Sequence, residues 1–281
     1  GRMTKPLLAR LGGLLFGLSV ACGCSRAHVE PGPSTTAPST VPSGTATTPE
    51  VSLAPASASC VPSGRGTDYA VGPGEKYSAL GDVPWEKLEA GDTVRIHHRA
   101  EPYREKFHVG GVGTADAPIR VCGVKGPNGE LPIIDGQGAT TRRSMVFAYD
   151  GHQPRGLIIV GWRRTEAWTR HPEHITIEGL EIRNGAPPHE FTDKAGEKKR
   201  FSENAGGIYV QRGSHITLRQ NVVHDNANGL FVGGGGAAEL TTDVLIEGNY
   251  IHSNGIAGSY FQHNVYNEAA GVTYQHNRFG P

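Results

Sequence analysis

The chain has 281 residues, of which 40 are glycine and 19% are charged, and its formal net charge is zero. Glycine destabilises helices and serves tight turns, so this composition favours a turn-rich β protein over a helical one. The balanced charge argues against electrostatic binding of the whole chain to nucleic acid or to an anionic membrane surface.

The first 24 residues have the pattern of an export signal. Lys5 and Arg10 supply positive charge, and the apolar residues 11–20 are too few to span a bilayer. Small residues then lead into Cys22, which resembles the lipobox cysteine of bacterial lipoproteins, with Cys24 as second candidate. The alternative is an ordinary cleaved signal. We expect a lipid-anchored protein of the bacterial envelope, on the periplasmic or the surface side of the outer membrane.

Residues 25–59 form the second segment and consist almost entirely of Ser, Thr, Ala, Pro, Val and Gly. Such a stretch buries too little apolar surface to offset the entropy of ordering, so it predicts a disordered tether. The folded domain then covers residues 60–281. Cys60 and Cys122 both belong to it, and export favours a disulfide between them, two buried thiols being the alternative.

Short elements follow in chain order. Residues 82–88 predict a short helix with Asp82 as its N-cap and Pro84 in its first turn. Alternating or apolar runs at residues 93–96, 118–121 and 132–134 predict strands separated by Gly, Pro and Asn turns. No long helix is predicted after Leu88.

The strongest feature is internal repetition. Asn221, Asn249 and Asn277 stand 28 residues apart in matching segments, and an earlier copy has Leu180 at this position. Residues 207–210 and 229–232 form a second track that repeats after 22 residues. Coils of this length predict a β-solenoid with asparagines hydrogen-bonded from coil to coil. A β-sandwich with chance spacing is the alternative.

Residues 102–106, 113–114, 117–119 and 132–136 resemble the opening coils of right-handed parallel β-helix proteins. This superfamily includes pectate lyases, chondroitinase B-like lyases, alginate lyases and polysaccharide-degrading envelope proteins. The resemblance covers about residues 69–281. It implies an all-β fold and an extended polysaccharide as ligand. Because a repeat strand leads directly into Pro281 without a cap, we expect the β-helix to be incomplete at its C-terminus, the alternative being an unusually exposed last coil.

A polar group near the end of the chain is the candidate for catalysis: His263, Tyr266, Glu268, His276 and Arg278. If residues 264–268 form a strand, neighbouring coils would bring these side chains together. A cation would then neutralise a uronate carboxylate, a base would take the adjacent proton, and Tyr or His would protonate the leaving oxygen. Hydrolysis needs a second carboxylate, which the sequence does not place. The interpretation is an acidic-polysaccharide lyase, the alternatives being a non-catalytic glycan-binding or adhesion protein and a structural envelope protein.

Candidate substrate contacts are aromatic and basic residues of an insertion together with one asparagine: Trp162, Arg163, Arg164, Trp168 and Asn264. Tryptophan faces stack on sugar rings and arginine pairs with carboxylates, although the tryptophans could simply pack a loop over the core. The mixed charges of residues 187–204 predict a solvated loop. Too few clustered carboxylates are present for calcium, so the sequence predicts neither a metal nor a cofactor, and we expect a monomer.

Overall fold

The computed structural model describes residues 59–236 and 239–281, and the predicted export signal, the lipidation site Cys22 and nearly all of the tether lie outside these ranges. Within the described ranges, no helix is both long and apolar enough to cross a membrane. Short strands dominate these residues.

The described residues contain three 3₁₀ helices, at Leu80–Asp82, Trp85–Lys87 and Asp150–Arg155. The strands in chain order are β1 (Asp68–Val71), β2 (Thr93–His97), β3 (Glu105–Val109), β4 (Ile119–Val124), β5 (Ile133–Asp135), β6 (Thr140–Thr141), β7 (Gly156–Val160), β8 (Glu173–Glu178), β9 (Glu181–Arg183), β10 (Glu190–Thr192), β11 (Lys198–Arg200), β12 (Gly206–Val210), β13 (Ser214–Arg219), β14 (Val222–His224), β15 (Asn228–Val232), β16 (Gly235–Gly236), β17 (Glu239–Leu240), β18 (Thr242–Glu247), β19 (Tyr250–His252), β20 (Val265–Asn267), β21 (Ala270–Gln275) and β22 (Arg278–Phe279).

These strands form a right-handed parallel β-helix. Five successive coils each place one strand in an eight-stranded sheet, the next in a seven-stranded sheet and the third in a five-stranded sheet, as β12, β13 and β14 do. The sheet orders are β11-β10-β6-β3-β7-β12-β15-β20, β1-β2-β4-β8-β13-β18-β21 and β22-β19-β14-β9-β5, and β16 pairs with β17 in a separate hairpin. The predicted solenoid is therefore confirmed.

The core is built from columns of apolar side chains that point into the cylinder. Ile134, Ile182, Val223 and Ile251 are paired in register in the five-stranded sheet, and all four are fully buried. In a strand, alternate side chains face opposite sides, so the residues flanking each of these positions point outward. The last coil is the most open, since Phe279, which continues this column, is 51% exposed.

Asparagines join the coils at one turn. The backbone N–H of Asn221 donates to Oδ1 of Asn249 at 3.0 Å, and that of Asn249 donates to Oδ1 of Asn277 at 3.0 Å. Each amide also donates to a main-chain carbonyl, as Nδ2 of Asn249 does to Leu218 O at 2.9 Å. Leu180 N–H donates to Oδ1 of Asn221, so the ladder ends on the coil where leucine replaces asparagine.

A second ladder crosses another turn and contains a residue predicted to bind substrate. Asn226 accepts from Gly185 N at 2.8 Å and donates to Asn254 Oδ1 at 3.1 Å. Asn254 in turn donates to Oδ1 of Asn264 at 3.0 Å, and Nδ2 of Asn264 donates to Gly280 O at 2.9 Å. The structure thus uses Asn264 to join coils, and its predicted role in substrate binding stays a prediction.

The predicted helix at residues 82–88 is two 3₁₀ turns instead of one α-helix. Val83 has a ψ of 132° because Pro84 disfavours helical backbone in the residue before it. Asp82 ends the first turn and caps Ala79 N–H, so it is not the N-cap of the second. Trp85, between these turns and the first coil, is fully buried and stacks on Phe107 at 4.2 Å between ring centroids.

Two further sequence alternatives are decided by the structure. A disulfide joins Cys60 and Cys122, whose Cα atoms lie 5.6 Å apart. Residues 187–204 contain the hairpin of β10 and β11 in place of an irregular loop. Phe191 and Phe201 of this segment are buried, with their ring centroids 4.5 and 4.8 Å from Nζ of Lys106. Burial lowers the pKa of Lys106 to about 7.

Replacement of Asn249 by leucine tests the contribution of the ladder to stability. The variant leaves the Asn221 N–H and the Leu218 carbonyl without their partner, and an unpaired buried polar group costs about 1–3 kcal/mol. We expect the free energy of unfolding, measured by urea titration, to fall by at least that amount. Asn204→Leu, at an exposed position, is the matched control. Equal stability of the two variants would show that the ladder contributes nothing.

Candidate functional site

A groove with a cavity volume of about 340 Å³ lies on the outer face of the eight-stranded sheet. Loops that precede or follow β7, β12, β15 and β20 form its walls. The groove is lined by Ala148, His152, Arg155, Trp162, Trp168, Tyr209, Gln211, Arg212, Phe231, Gly233, Gly234, Gly235 and Glu268.

The floor of the groove is part of an aromatic column, of which Tyr209 and Phe231 line the cavity. Tyr209, Phe231 and Tyr266 occupy the same register position on β12, β15 and β20. Their ring centroids are 5.2 Å apart for the first pair and 4.9 Å for the second. They face outward because their strand neighbours, such as Ile208 and Val210, are buried in the core.

Arg155 covers part of this floor. It ends the 3₁₀ helix before β7, and its guanidinium lies 4.9 Å from the Tyr209 ring and 5.4 Å from the Phe231 ring. Within the part of the chain that the structure describes, Arg155 forms no ion pair, and its Nε is buried without a hydrogen-bond partner. A cation held on aromatic faces without a carboxylate is suited to receive an anionic ligand.

One wall contains two tryptophans and a second arginine. The Trp162 and Trp168 rings meet edge to face at 4.8 Å, and the Trp162 indole donates to Ala167 O. The Arg212 guanidinium lies 4.2 Å from the Trp168 ring and 3.1 Å from Nε2 of His171. Trp168 is still 45% exposed, so the wall offers an open aromatic surface.

Three titratable side chains complete the groove. Burial, followed by the charge of Arg155, lowers the pKa of His152, whose Nδ1 lies 3.0 Å from Nε2 of Gln211. Burial is also the main reason that the pKa of Tyr209 is raised. Glu268 accepts from Gly234 N at 3.2 Å. At neutral pH the His152 imidazole is therefore neutral and the Tyr209 phenol keeps its proton.

The predicted catalytic group does not assemble as one cluster. Glu268 lines the groove. Tyr266, whose pKa is raised by a hydrogen bond to Glu268, lies outside the lining and packs against Phe231 in the aromatic column. His263 lies beside Tyr266, with ring centroids 5.8 Å apart. His276 lies at the turn between β21 and β22.

Arg278 belongs to the five-stranded sheet, where its guanidinium is 4.6 Å from the Tyr250 ring. β20 and β22 lie on different sides of the same coil, so their outward side chains point in different directions. The prediction that adjacent coils bring His276 and Arg278 to Glu268 is therefore corrected: the strands belong to one coil, and its sides face apart.

Only some of the residues predicted to contact substrate lie in the groove. Trp162 and Trp168 line the groove, whereas Arg164 is exposed outside its lining. Arg163 is only 1% exposed; its guanidinium pairs with Glu166 at 2.7 Å and donates to Leu88 O. The structure thus uses Arg163 to hold the insertion onto the core, which corrects its predicted role in substrate binding.

Sequence reasoning did not select His152, Arg155, Tyr209, Arg212 or Phe231. The repeated track at residues 207–210 and 229–232 carried a usable signal, because it places Tyr209 and Phe231 at equivalent positions. No sequence pattern indicated that the loop ending at Arg155 folds over that track.

Residues 155–280 match a family model described as the right handed beta helix region. No curated protein matches the chain. One similar solved structure is a pectin methylesterase mutant in complex with a hexasaccharide, at 12% identity and a TM-score of 0.35, over 75% of this chain. This chain covers 65% of that protein, less than two thirds of its length.

A second similar structure is the pectin methylesterase from Aspergillus niger, at 13% identity and a TM-score of 0.31, over 79% of this chain and 78% of that one. Likenesses this distant do not transfer a reaction or a substrate. Together, the family match and the in-register stacking of parallel strands establish that the chain folds as a right-handed β-helix.

Proposed function

We propose that the groove binds an acidic polysaccharide, with a uronate carboxylate at Arg155. The observation that carries this proposal is the half-buried Arg155 guanidinium, which lies on two aromatic rings and has no ion-pair partner among the described residues. A carboxylate ligand would supply the missing charge-assisted hydrogen bonds, which are stronger than neutral ones. Arg212, on the neighbouring wall, is a second cation for the same polymer.

Aromatic surfaces support a sugar as the carrier of that carboxylate. The exposed face of Trp168 offers a flat apolar platform beside the arginines, and the edges of Tyr209 and Phe231, which are 5% and 6% exposed, form apolar surface below it. Sugar rings have apolar C–H faces and polar edges, so such platforms bind the faces while charged groups select the substituents. An extended polymer fits a groove that runs along stacked coils.

The titratable groups favour β-elimination over hydrolysis as the reaction. Hydrolysis by the usual route needs two carboxylates, and Glu268 is the one carboxylate among the lining residues described. In β-elimination, Arg155 neutralises the uronate carboxylate and His152 takes the proton from the adjacent carbon. The electron pair forms the new double bond, the bond to the leaving oxygen breaks, and the Tyr209 hydroxyl protonates that oxygen.

His152 is positioned for this role by Gln211. The Gln211 amide nitrogen donates to Nδ1 of His152 at 3.0 Å and so fixes the orientation of the imidazole. Rotation of this amide by 180° during the reaction would let Nδ1 donate to the Gln211 oxygen and free Nε2 to act as the base. The lowered pKa of His152 keeps the ring in its basic form at neutral pH. The raised pKa of Tyr209 keeps its proton available.

A non-catalytic glycan-binding protein is the second candidate. The observation that favours it is the binding surface itself, because the arginines and aromatic platforms are complete without an acid–base pair. Binding of uronate polymers without release of unsaturated ends would support this alternative.

The export pattern extends the proposal to the cell envelope. Cys22 would carry the lipid, and residues 25–59 would hold the β-helix away from the membrane. Expression in a bacterial host with a labelled fatty acid is expected to label the wild-type chain and not Cys22→Ser. Label on both or on neither would refute Cys22 as the anchor.

Arg155→Met tests the carboxylate site, because methionine keeps an unbranched apolar stem and removes the charge. We expect affinity for polyuronates, measured by calorimetry, to fall by about 10- to 100-fold, as a lost charge-assisted hydrogen bond costs about 1.5–3 kcal/mol. Neutral polysaccharides should bind weakly to wild type and variant alike. Arg65→Met, exposed and outside the groove, is the matched control. Unchanged polyuronate affinity in Arg155→Met would contradict the proposed site.

His152→Gln tests the reaction separately from binding. We expect the appearance of unsaturated uronate ends, followed by ultraviolet absorbance, to slow by at least about 100-fold while polymer binding persists. Because the lowered pKa of His152 lies below its ordinary 6.5, the wild-type rate should be level at neutral pH and fall as acid protonates the imidazole. His189→Gln, away from the groove, serves as control. A wild-type chain that forms no unsaturated ends on any uronate polymer would eliminate the lyase.

A further inference from the structure

Metal-ligating side chains meet outside the groove, where β8 and β13 begin. The carboxylate of Glu173 and the imidazoles of His174 and His215 each offer a ligand atom, and these three atoms lie within 4.8 Å of one another. Glu173 pairs with Ser214 in parallel strands. His174 follows Glu173 and His215 follows Ser214, so the two histidines occupy equivalent positions on successive coils. The cluster is therefore a consequence of coil stacking.

Backbone geometry presents the two imidazoles side by side. His174 and His215 both have left-handed backbone, with φ of 49° and 52°, and their rings stack with centroids 4.5 Å apart and planes inclined by 8°. Asp243 occupies the same position on the next coil with φ of 54°, and its carboxylate lies 4.0 Å from Nδ1 of His215. A column of two imidazoles and one carboxylate thus follows one turn, with Glu173 beside it.

These donors have the chemistry of a transition-metal site. Imidazole nitrogen and carboxylate oxygen suit Zn²⁺ and its neighbours, whereas Ca²⁺ and Mg²⁺ prefer sites made of oxygen alone. Ligand atoms around Zn²⁺ lie about 2.0–2.2 Å from the ion, so the three donors must move closer together by side-chain rotation. His215 has 46% of its side chain exposed and Glu173 has 41%, which leaves both free to rotate.

We propose that Glu173, His174 and His215 form a surface site for a divalent transition cation of the Zn²⁺ class. The exposed position leaves the remaining coordination to water, so the ion exchanges with solvent instead of supporting the fold. The site is independent of the acidic-polysaccharide function of the groove. The sequence predicted no metal because it lacks clustered carboxylates for calcium. It did not indicate this site because His174 and His215 are 41 residues apart along the chain.

Zinc titration of the full chain, stripped with a chelator, tests the proposal by calorimetry. We expect one Zn²⁺ per chain to bind to the wild type. His174→Asn and His215→Asn should each weaken binding by at least about 10-fold, since loss of even an outer partner of a metal ligand costs that much. Asparagine tolerates left-handed backbone, so the turn is preserved in both variants.

His276→Asn is the matched control, because His276 is exposed and has a left-handed φ of 55° but lies outside the cluster. It should bind Zn²⁺ like the wild type, and circular dichroism should show all variants folded. Substitution with Cu²⁺ gives a second measurement: nitrogen hyperfine coupling from two imidazoles in the wild type and from one in each single variant. The site would be overturned if the wild type bound no zinc. It would also be overturned if His174→Asn and His215→Asn each bound zinc as tightly as the wild type, or if neither substitution changed the nitrogen hyperfine coupling.

Discussion

Parallel hydrogen bonding between successive coils, in register, is the constraint on which the rest of this structure depends. It places each residue directly above its counterpart on the previous coil, so an apolar residue at an inward position becomes part of a continuous column. Asn221, Asn249 and Asn277 maintain that register at a turn, where the backbone leaves the sheets and needs other hydrogen-bond partners. Core and turn therefore depend on the same alignment.

The same alignment produces the outer surfaces. Tyr209, Phe231 and Tyr266 form a column because their strands pair in register, and His174 meets His215 for the same reason. The coils supply a rigid surface, and loops that differ from coil to coil supply the walls. This division is common in proteins whose binding residues lie on loops held by a regular scaffold.

The buried or partly buried cations of this domain differ in the partners that compensate their charge. Arg163 is buried and paired with Glu166, so its charge is already neutralised. Lys106 is buried beside the rings of Phe191 and Phe201, and this burial lowers its pKa. Its ammonium group already donates to the Gly156 carbonyl. Arg155 is also held on aromatic rings, but it lines an open groove and has no carboxylate partner among the described residues. Of these three cations, Arg155 therefore has the least compensated charge.

The sequence by itself determined the solenoid, the register of its coils and the asparagine ladder, because each of these is a local pattern repeated at a fixed spacing. The aligned Tyr209 and Phe231 could also have been found in this way. Only the tertiary structure decided that Glu268 and Arg278 face apart, that the loop carrying His152 and Arg155 folds onto the aromatic column, and that Arg163 is buried. Periodicity reports which residues are equivalent from coil to coil. The direction of each sheet face and the docking of an irregular loop depend on packing between distant segments, which leaves no periodic trace in the chain.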